Sequence, residues 1–300
     1  MNTIIKLITE SDLPDHAKEK IFTIIAAPNN VKLLTKLIEP EIVPELDDTV
    51  KVMFLDTETT GLNPELDSVI ELGYVVTQFT KQGEYKGVIS CYNGLQEPPF
   101  PISDNIAAIT GIKQEDLIGT KLDMTTIQHD LSKTVLCIAH NASFDRKFVE
   151  GLHPLFSTRR WACTYADIDW KALNISSSKL EFIGHMCGFY FDAHRAINDV
   201  FAMLEAVRLT NTFSQLFAAA QKSTYVLSAI GAPFDSKDML KERKYKPKYA
   251  GKKFVCWYTN VATEEQMKEE KVWLMETAKC TCVPVKEVLP FERFSVRETL

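Results

Sequence analysis

The segment Phe54-Leu55-Asp56-Thr57-Glu58-Thr59-Thr60-Gly61-Leu62 carries an apolar run into two carboxylates spaced one residue apart. Residues i and i+2 of an extended strand share a face. A strand over about 50–56 therefore aims Asp56 and Glu58 together from its end, and Gly61 allows the chain a sharp exit. Close like charges repel, so such a pair needs a cation. Hard divalent ions such as Mg²⁺ take oxygen ligands of this kind.

An isolated Asp-x-Glu is a common solvated strand end, and two later blocks give this one its meaning. After the apolar run 135–139 comes His140-Asn141-Ala142-Ser143-Phe144-Asp145. Further on, His194-Arg195-Ala196-Ile197-Asn198-Asp199 opens a strongly helical stretch. Acids at strand ends and helix starts lie where open α/β sheets place their ligands.

In order and spacing the three blocks resemble the motifs of the DEDDh family. These are the DnaQ-like 3′→5′ exonucleases related to the epsilon proofreading subunit of bacterial DNA polymerase III. The resemblance covers roughly residues 50–210. Asp56 and Glu58 match the first motif, Asp145 the second, His194 and Asp199 the third. It implies a catalytic set of His194, Asp56, Glu58, Asp145 and Asp199, with the four acids as ligands of two Mg²⁺ or Mn²⁺ ions. Two metals about 3.5–4 Å apart can activate a water and stabilise the leaving oxygen of a phosphodiester. By resemblance His194 is the general base, a role that suits an imidazole with its near-neutral pKa. Five residues of ideal helix turn roughly 500°, so His194 and Asp199 share a site only if His194 precedes the helix or opens it. The sister DEDDy family carries Tyr four residues before the last acid, where this chain has Arg195.

The segment Ala107-Ala108-Ile109-Thr110-Gly111-Ile112 resembles the stretch that lines the family's terminal-nucleotide pocket, with Thr110 where His is usual. The resemblance implies that Thr59, Leu62, Ile109 and Asn141 border the 3′-terminal nucleotide, Leu62 wedging against a base. By residue type alone, Leu62 and Ile109 also read as ordinary core. Arg159-Arg160-Trp161 reads as a phosphate contact or a solvated basic turn. Ser214-Gln215-Leu216-Phe217 reads as a helix end rather than a clamp-binding peptide.

At 45% apolar residues over 300 positions the chain can bury a sizeable core. No apolar run reaches the roughly 20 residues of a membrane span, and no secretory signal is apparent. These features lead us to expect a cytoplasmic protein with reduced cysteines. His185, Cys187 and His194 lack the second pair a zinc site needs. The net charge of −6 arises partly from acids that bound cations would offset. The eight Lys/Arg at 237, 241, 243, 244, 246, 248, 252 and 253 face only Asp238 and Glu242.

Three parts are expected. Residues 1–47 read as a helical extension and linker: Ser11-Asp12-Leu13-Pro14 has N-cap character, Val31, Leu34, Leu37 and Ile38 recur at helical spacing, and Pro40 and Pro44 follow. Residues 48–212 read as the exonuclease domain, an α/β, ribonuclease H-like mixed sheet flanked by helices. Its expected elements are strands at 50–56, 68–79, 84–92, 134–139 and 160–165, with helices at 103–109, 124–132, 143–150, 178–187 and 195–210. Residues 213–300 read as a small α+β accessory region in which Tyr245, Tyr249, Phe254, Trp257 and Tyr258 interleave with the basic cluster. Cationic grooves with aromatic platforms bind single strands; core aromatics beside a solvated basic face are the other reading of this composition. The resemblance implies single-stranded or frayed 3′ ends of DNA as partners, with RNA as the alternative substrate and no membrane; a polymerase or repair partner stays open. A non-catalytic nucleic-acid scaffold is the reading from a different class, and the five filled catalytic positions weigh against it.

Overall fold

The computed structural model describes residues 34–250 and 253–298. The Ser11-Asp12-Leu13-Pro14 helix start and Val31 lie outside that range. From Leu34 to Ile38 the helical spacing is not realised. Thr35–Lys36 (β1) is extended and pairs parallel with Phe189–Tyr190, Thr35 N–H donating to the Gly188 carbonyl and Leu37 N–H to that of Tyr190. Strand pairing supplies the backbone partners, and Leu37 reaches the core from this extended course.

Three long strands follow, β2 (Val50–Thr59), β3 (Val69–Phe79) and β4 (Tyr85–Leu95), each antiparallel to the next. Helices α1 (Asp104–Thr110), α2 (Gln114–Leu117) and α3 (Met124–Lys133) lead to β5 (Leu136–Ala139). Next come α4 (Ala142–Leu152), α5 (Leu155–Thr158), β6 (Arg160–Cys163), α6 (Leu180–Cys187), β7 (Phe189–Tyr190), α7 (Ala196–Thr210) and α8 (Phe213–Ala219). The main sheet runs β4-β3-β2-β5-β6, with β5 parallel to β2 and β6 parallel to β5. A meander followed by alternating strands and helices gives the mixed, helix-flanked sheet expected from the sequence. Among the described residues no helix is long and apolar enough to cross a membrane.

Both faces of this sheet are covered, and β2 shows how. Val52 and Phe54 pack into one core with Leu180, Ile183, Val200, Met203 and Leu204 of α6 and α7. Met53 and Leu55 pack into the other with Ile127 and Leu131 of α3 and Ala142, Phe148 and Val149 of α4. Alternate side chains thus enter opposite cores, which is why the strand reads as a continuous apolar run.

The remaining strands make a second sheet. Its order is β11-β8-β10-β9, all pairs antiparallel, from β8 (Thr224–Ala229), β9 (Lys246–Ala250), β10 (Lys253–Val261) and β11 (Val285–Val288). Helices α9 (Lys237–Glu242) and α10 (Glu264–Glu276) join it, and its own small core includes Leu227, Leu240, Tyr245 and Leu274. This unit is bound to the main one at both of its ends. Phe213 stacks on Phe79 with ring centroids 3.8 Å apart, and Leu216 and Ala220 enter the α7-side core. The boundary expected after Thr212 therefore falls inside that core. At the other end the chain returns: Phe294 packs on the α4-side core, and Arg293 meets Asp167 at 2.5 Å.

Arg146 of α4 anchors this return. Its side chain is fully buried, and its guanidinium donates to the carbonyls of Arg293 and Phe291 at 2.6 Å each and to Glu150 Oε1 at 2.8 Å. Glu150 also accepts from Ser295 Oγ at 2.7 Å. The basic run 159–161 packs against the protein and is not a solvated turn. Arg159 donates to the Leu131 carbonyl, Arg160 lies over the Phe291 ring, and Trp161 is buried. Leu216 is likewise buried, which leaves 214–217 a helix segment of the core.

Removing one partner of a buried ionic network leaves the rest uncompensated, at a cost of about 3–5 kcal/mol. Arg146→Ala should lower the stability of the whole chain by that order, read as a shift in the urea midpoint. It should also expose 291–298 to proteolysis before the main sheet melts. An unchanged midpoint would show that the return segment is held by its apolar contacts alone.

Candidate active site

The alternation along β2 continues past its apolar stretch. Asp56 and Glu58 fall on the parity of Val52 and Phe54, the face covered by α7, and Thr57 falls on the face covered by α4. Accordingly Asp199, in the first turn of α7, joins Asp56 and Glu58: one carboxylate oxygen from each lies within 4.8 Å of the others. Asp145, in the first turn of α4, arrives from the opposite face. Its Oδ1 accepts from the Thr57 N–H at 3.0 Å and from the Thr57 hydroxyl at 2.8 Å. The four sequence-predicted acids therefore meet at one strand end as a trio plus one. Among the described residues no other three His, Cys, Asp or Glu side chains converge in this way. His185, Cys187 and His194 form no such group among the described residues.

The approach of α7 has a visible cause. Asp56 pairs with Gly73 and Glu58 with Glu71 across the β2–β3 ladder. A Cβ on Gly73 would sit 2.5 Å from the Ile197 backbone nitrogen, so only glycine lets the first turn of α7 rest on β3. Glu71, fully buried, then fastens it. Its carboxylate accepts from Arg195 Nη2 at 2.8 Å, from the Ala196 N–H at 3.0 Å and from Asn93 Nδ2 at 3.0 Å. The sequence reading missed Glu71. An acid between Ile70 and Leu72 in the otherwise apolar run 69–76 was the available signal, because a buried carboxylate requires partners.

His194 precedes α7, as the spacing requires. Its backbone has a positive φ of 64°, and its N–H donates to Asp199 Oδ2 at 2.9 Å, while the side chain is exposed. Gly61 does not take the left-handed conformation. Its Cα instead lies against the Asp67 carboxylate, which a Cβ would meet at 2.5 Å and which holds the turn by accepting from Asn63 N–H. Beside the turn Leu62 is 84% exposed, and Ile109 of α1 is 48% exposed, so neither is core. Thr59 is buried with its hydroxyl on the Gly61 carbonyl. Asn141, at φ 68°, caps the start of α4 from an exposed position and accepts from Ser143 Oγ at 2.9 Å.

Four acids with so little opposing charge hold their protons tightly. Burial, then Asp145, Asp199, Glu58 and Glu71, keep Asp56 well above the ordinary carboxylate range. Burial with Asp199 and Glu71 pushes Glu58 to about 8. Burial raises Asp145 to about 7 against the Thr57 hydrogen bonds, and Asp199 to about 6 against the His194 N–H. Oxygen-only donors, convergence and uncompensated negative charge fit a hard divalent cation. Asp56, Glu58 and Asp199 would hold it, with Asp145 beside Asp56.

The model of the RNase_T family, described as exonuclease, matches residues 53–207. The chain is similar to the PolC-type DNA polymerase III of Thermotoga maritima, 29% identical over 181 residues, 54% of this chain and 12% of that protein. It is also similar to the DNA polymerase III epsilon subunit of Treponema pallidum, 34% identical over 97 residues, 31% of this chain and 42% of that protein. The chain thus spans under half the length of each. Of solved structures, E. coli exonuclease I in complex with a dA16 oligonucleotide is similar at a TM-score of 0.49 and 14% identity, covering 77% of this chain and 68% of that one.

In chelator, the raised carboxyl groups make stability fall as pH rises. Each group binds its proton more tightly folded than unfolded, so its contribution is full near pH 4 and is lost through about 6, 7 and 8 for Asp199, Asp145 and Glu58. Glu58→Gln should therefore melt above the unmodified protein at pH 9 in EDTA, and the gap should close toward pH 5. Mg²⁺ should raise the melting temperature of the unmodified protein more than that of the variant. A pH-independent gap would refute the repulsion.

Proposed function

Because the chain belongs to the exonuclease family across residues 53–207, we propose that it is a metal-dependent 3′→5′ exonuclease. It removes nucleoside 5′-monophosphates from the 3′ end of a single-stranded or frayed strand. The observation that carries this reading is the convergence of Asp56, Glu58 and Asp199 within 4.8 Å at one strand end, with Asp145 adjoining. DNA is the favoured substrate, because the relatives are DNA polymerase III proteins. RNA trimming is the alternative, distinguished by response to the 2′-hydroxyl.

Two divalent ions, Mg²⁺ or Mn²⁺, would supply water activation and stabilisation of the leaving oxygen. The chain's own groups do the rest. Asp56, Glu58, Asp145 and Asp199 provide the negative oxygen shell. The His194 imidazole takes the proton of the attacking water, its backbone held by Asp199. Glu71 positions Arg195 and Ala196, and with them both His194 and Asp199. Exposed Leu62 and Ile109 offer apolar contact to the terminal base, with Thr59 and Asn141 at the margins. The catalytic unit is the main sheet with its helices, and the second sheet is accessory.

Asp56→Ala, Glu58→Ala, Asp145→Ala and Asp199→Ala should each abolish most turnover, and EDTA should do the same. Full activity in EDTA would overturn the metal reading. A 5′-labelled strand should shorten from its 3′ end, a 3′-phosphate should block it, and cleavage of circular single strands at an equal rate would reveal an endonuclease. His194→Ala should cost about 10²–10⁴-fold in rate with Mn²⁺ binding retained. Loss of metal binding instead would make it a ligand.

A further inference from the structure

A cleft of about 790 Å³ separates the two sheets, walled by α4 and the end of β6 on one side and by the basic segment and β10 on the other. It falls within the ~300–1,000 Å³ typical of ligand sites, and it begins at the catalytic helix. Asn141 and Ser143 line its near end, and Asp145 lies within the same turn of α4. Lys147 follows Asp145 by two residues, about 200° around the helix, so one helix turns its acid to the buried cluster and its lysine to the cleft.

The charge in this cleft is uneven. Of its acids, Asp167 is paired with Arg293 and Glu270 with Arg243; Glu298 accepts from the Phe294 N–H and lies within the field of Lys147 and Lys246 without an ion pair to either, and Glu242 has no ion pair among the described residues. Three lysines, Lys147 on one wall and Lys244 and Lys246 on the other, make no ion pair among the described residues. Two aromatic rings accompany them, Tyr165, 53% exposed and edge-on to His140, and half-buried Tyr258. Facing cations with interspersed rings are the features that track a single strand by phosphate attraction and base stacking. The aromatic run expected to do this is otherwise divided: Tyr245 is buried with its hydroxyl on Glu270, while Tyr249 and Phe254 are exposed but do not line the cleft.

We propose that this cleft holds the single-stranded segment behind the 3′ terminus. Lys147, Lys244 and Lys246 contact its phosphates, and Tyr165 and Tyr258 contact its bases. The inference rests on the exonuclease reading for its direction but not for its chemistry, because holding requires neither metal nor turnover.

The test is fluorescence anisotropy of labelled dT20 and rU20 with the full chain in EDTA, across a salt series. Each lysine neutralised at a phosphate should reduce the slope of log affinity against log salt by about 0.7, equivalent to about fivefold weaker binding at 0.1 M salt relative to 1 M. Lys147→Gln should show one such step and the Lys244→Gln/Lys246→Gln double variant two, whereas Lys271→Gln, on the exposed face of α10, should match the unmodified protein. All the substituted positions lie outside the cores, and melting temperatures verify folding. Loss with both polymers assigns the cleft to phosphates in general, and loss with dT20 alone assigns it to DNA. Unchanged affinity and slope in the folded cleft variants would overturn the proposal. With Mn²⁺ present, the same variants should lose more kcat/KM on dT20 than on dT3. A wild-type protein inert on both would refute the exonuclease reading while leaving the anisotropy result to decide the cleft.

Discussion

The acidic cluster is arranged around one strand with both faces buried. Alternation along β2 sends even-numbered side chains into one core and odd-numbered ones into the other. At the end of the strand the same alternation sorts acids instead of hydrophobes. A one-residue slip would exchange the two sets, placing Asp56 and Glu58 against α4 and burying charge where Met53 and Leu55 now pack. The core and the acidic cluster therefore specify the same register.

The cluster is held in place against its repulsion by hydrogen bonds and by one cation at its edge, Arg195. Glu71 is the fifth acid of this neighbourhood; its charge adds to the repulsion on Asp56 and Glu58, yet its partners offset it. By engaging Arg195 and the Ala196 N–H it brings a cation and a helix N-terminus toward the site, where a helix favours negative charge. Gly73 supplies the space for that approach. Deleting either partner would leave Asp199 chemically intact and geometrically adrift, which separates positioning from ligation in this fold.

Much of this was legible in the chain. The strand that carries Asp56, although it runs on to Thr59 rather than stopping at 56, the acid in the first turn of α4 and the helix opening after His194 follow from periodicity and motif spacing, because each depends on local sequence. What was not legible depends on which face a distant element covers. Nothing local says that α4 packs opposite α7, so the sequence cannot separate Asp145 from the other three acids. Leu34, Leu37 and Ile38 have helical spacing, yet pairing with β7 outweighs it. Leu62 and Ile109 were ambiguous between core and surface until their exposure was known. Phe213 and Leu216 follow a helix end and look peripheral, but Phe79 has no other stacking partner of that geometry.

The clasp on Arg146 also has a consequence in time. Its guanidinium is buried in α4, yet two of its acceptors are carbonyls of Phe291 and Arg293, the latter 147 residues downstream. Chains are made at roughly 5–20 residues per second, so Arg146 emerges from synthesis about 7–30 s before those carbonyls exist. During that interval the α4 side of the sheet carries a cation that must remain hydrated, and water has to occupy the place the return segment will fill. The main sheet comes first in the sequence but cannot be the first part to finish folding; its α4 side closes only once the second sheet has been made.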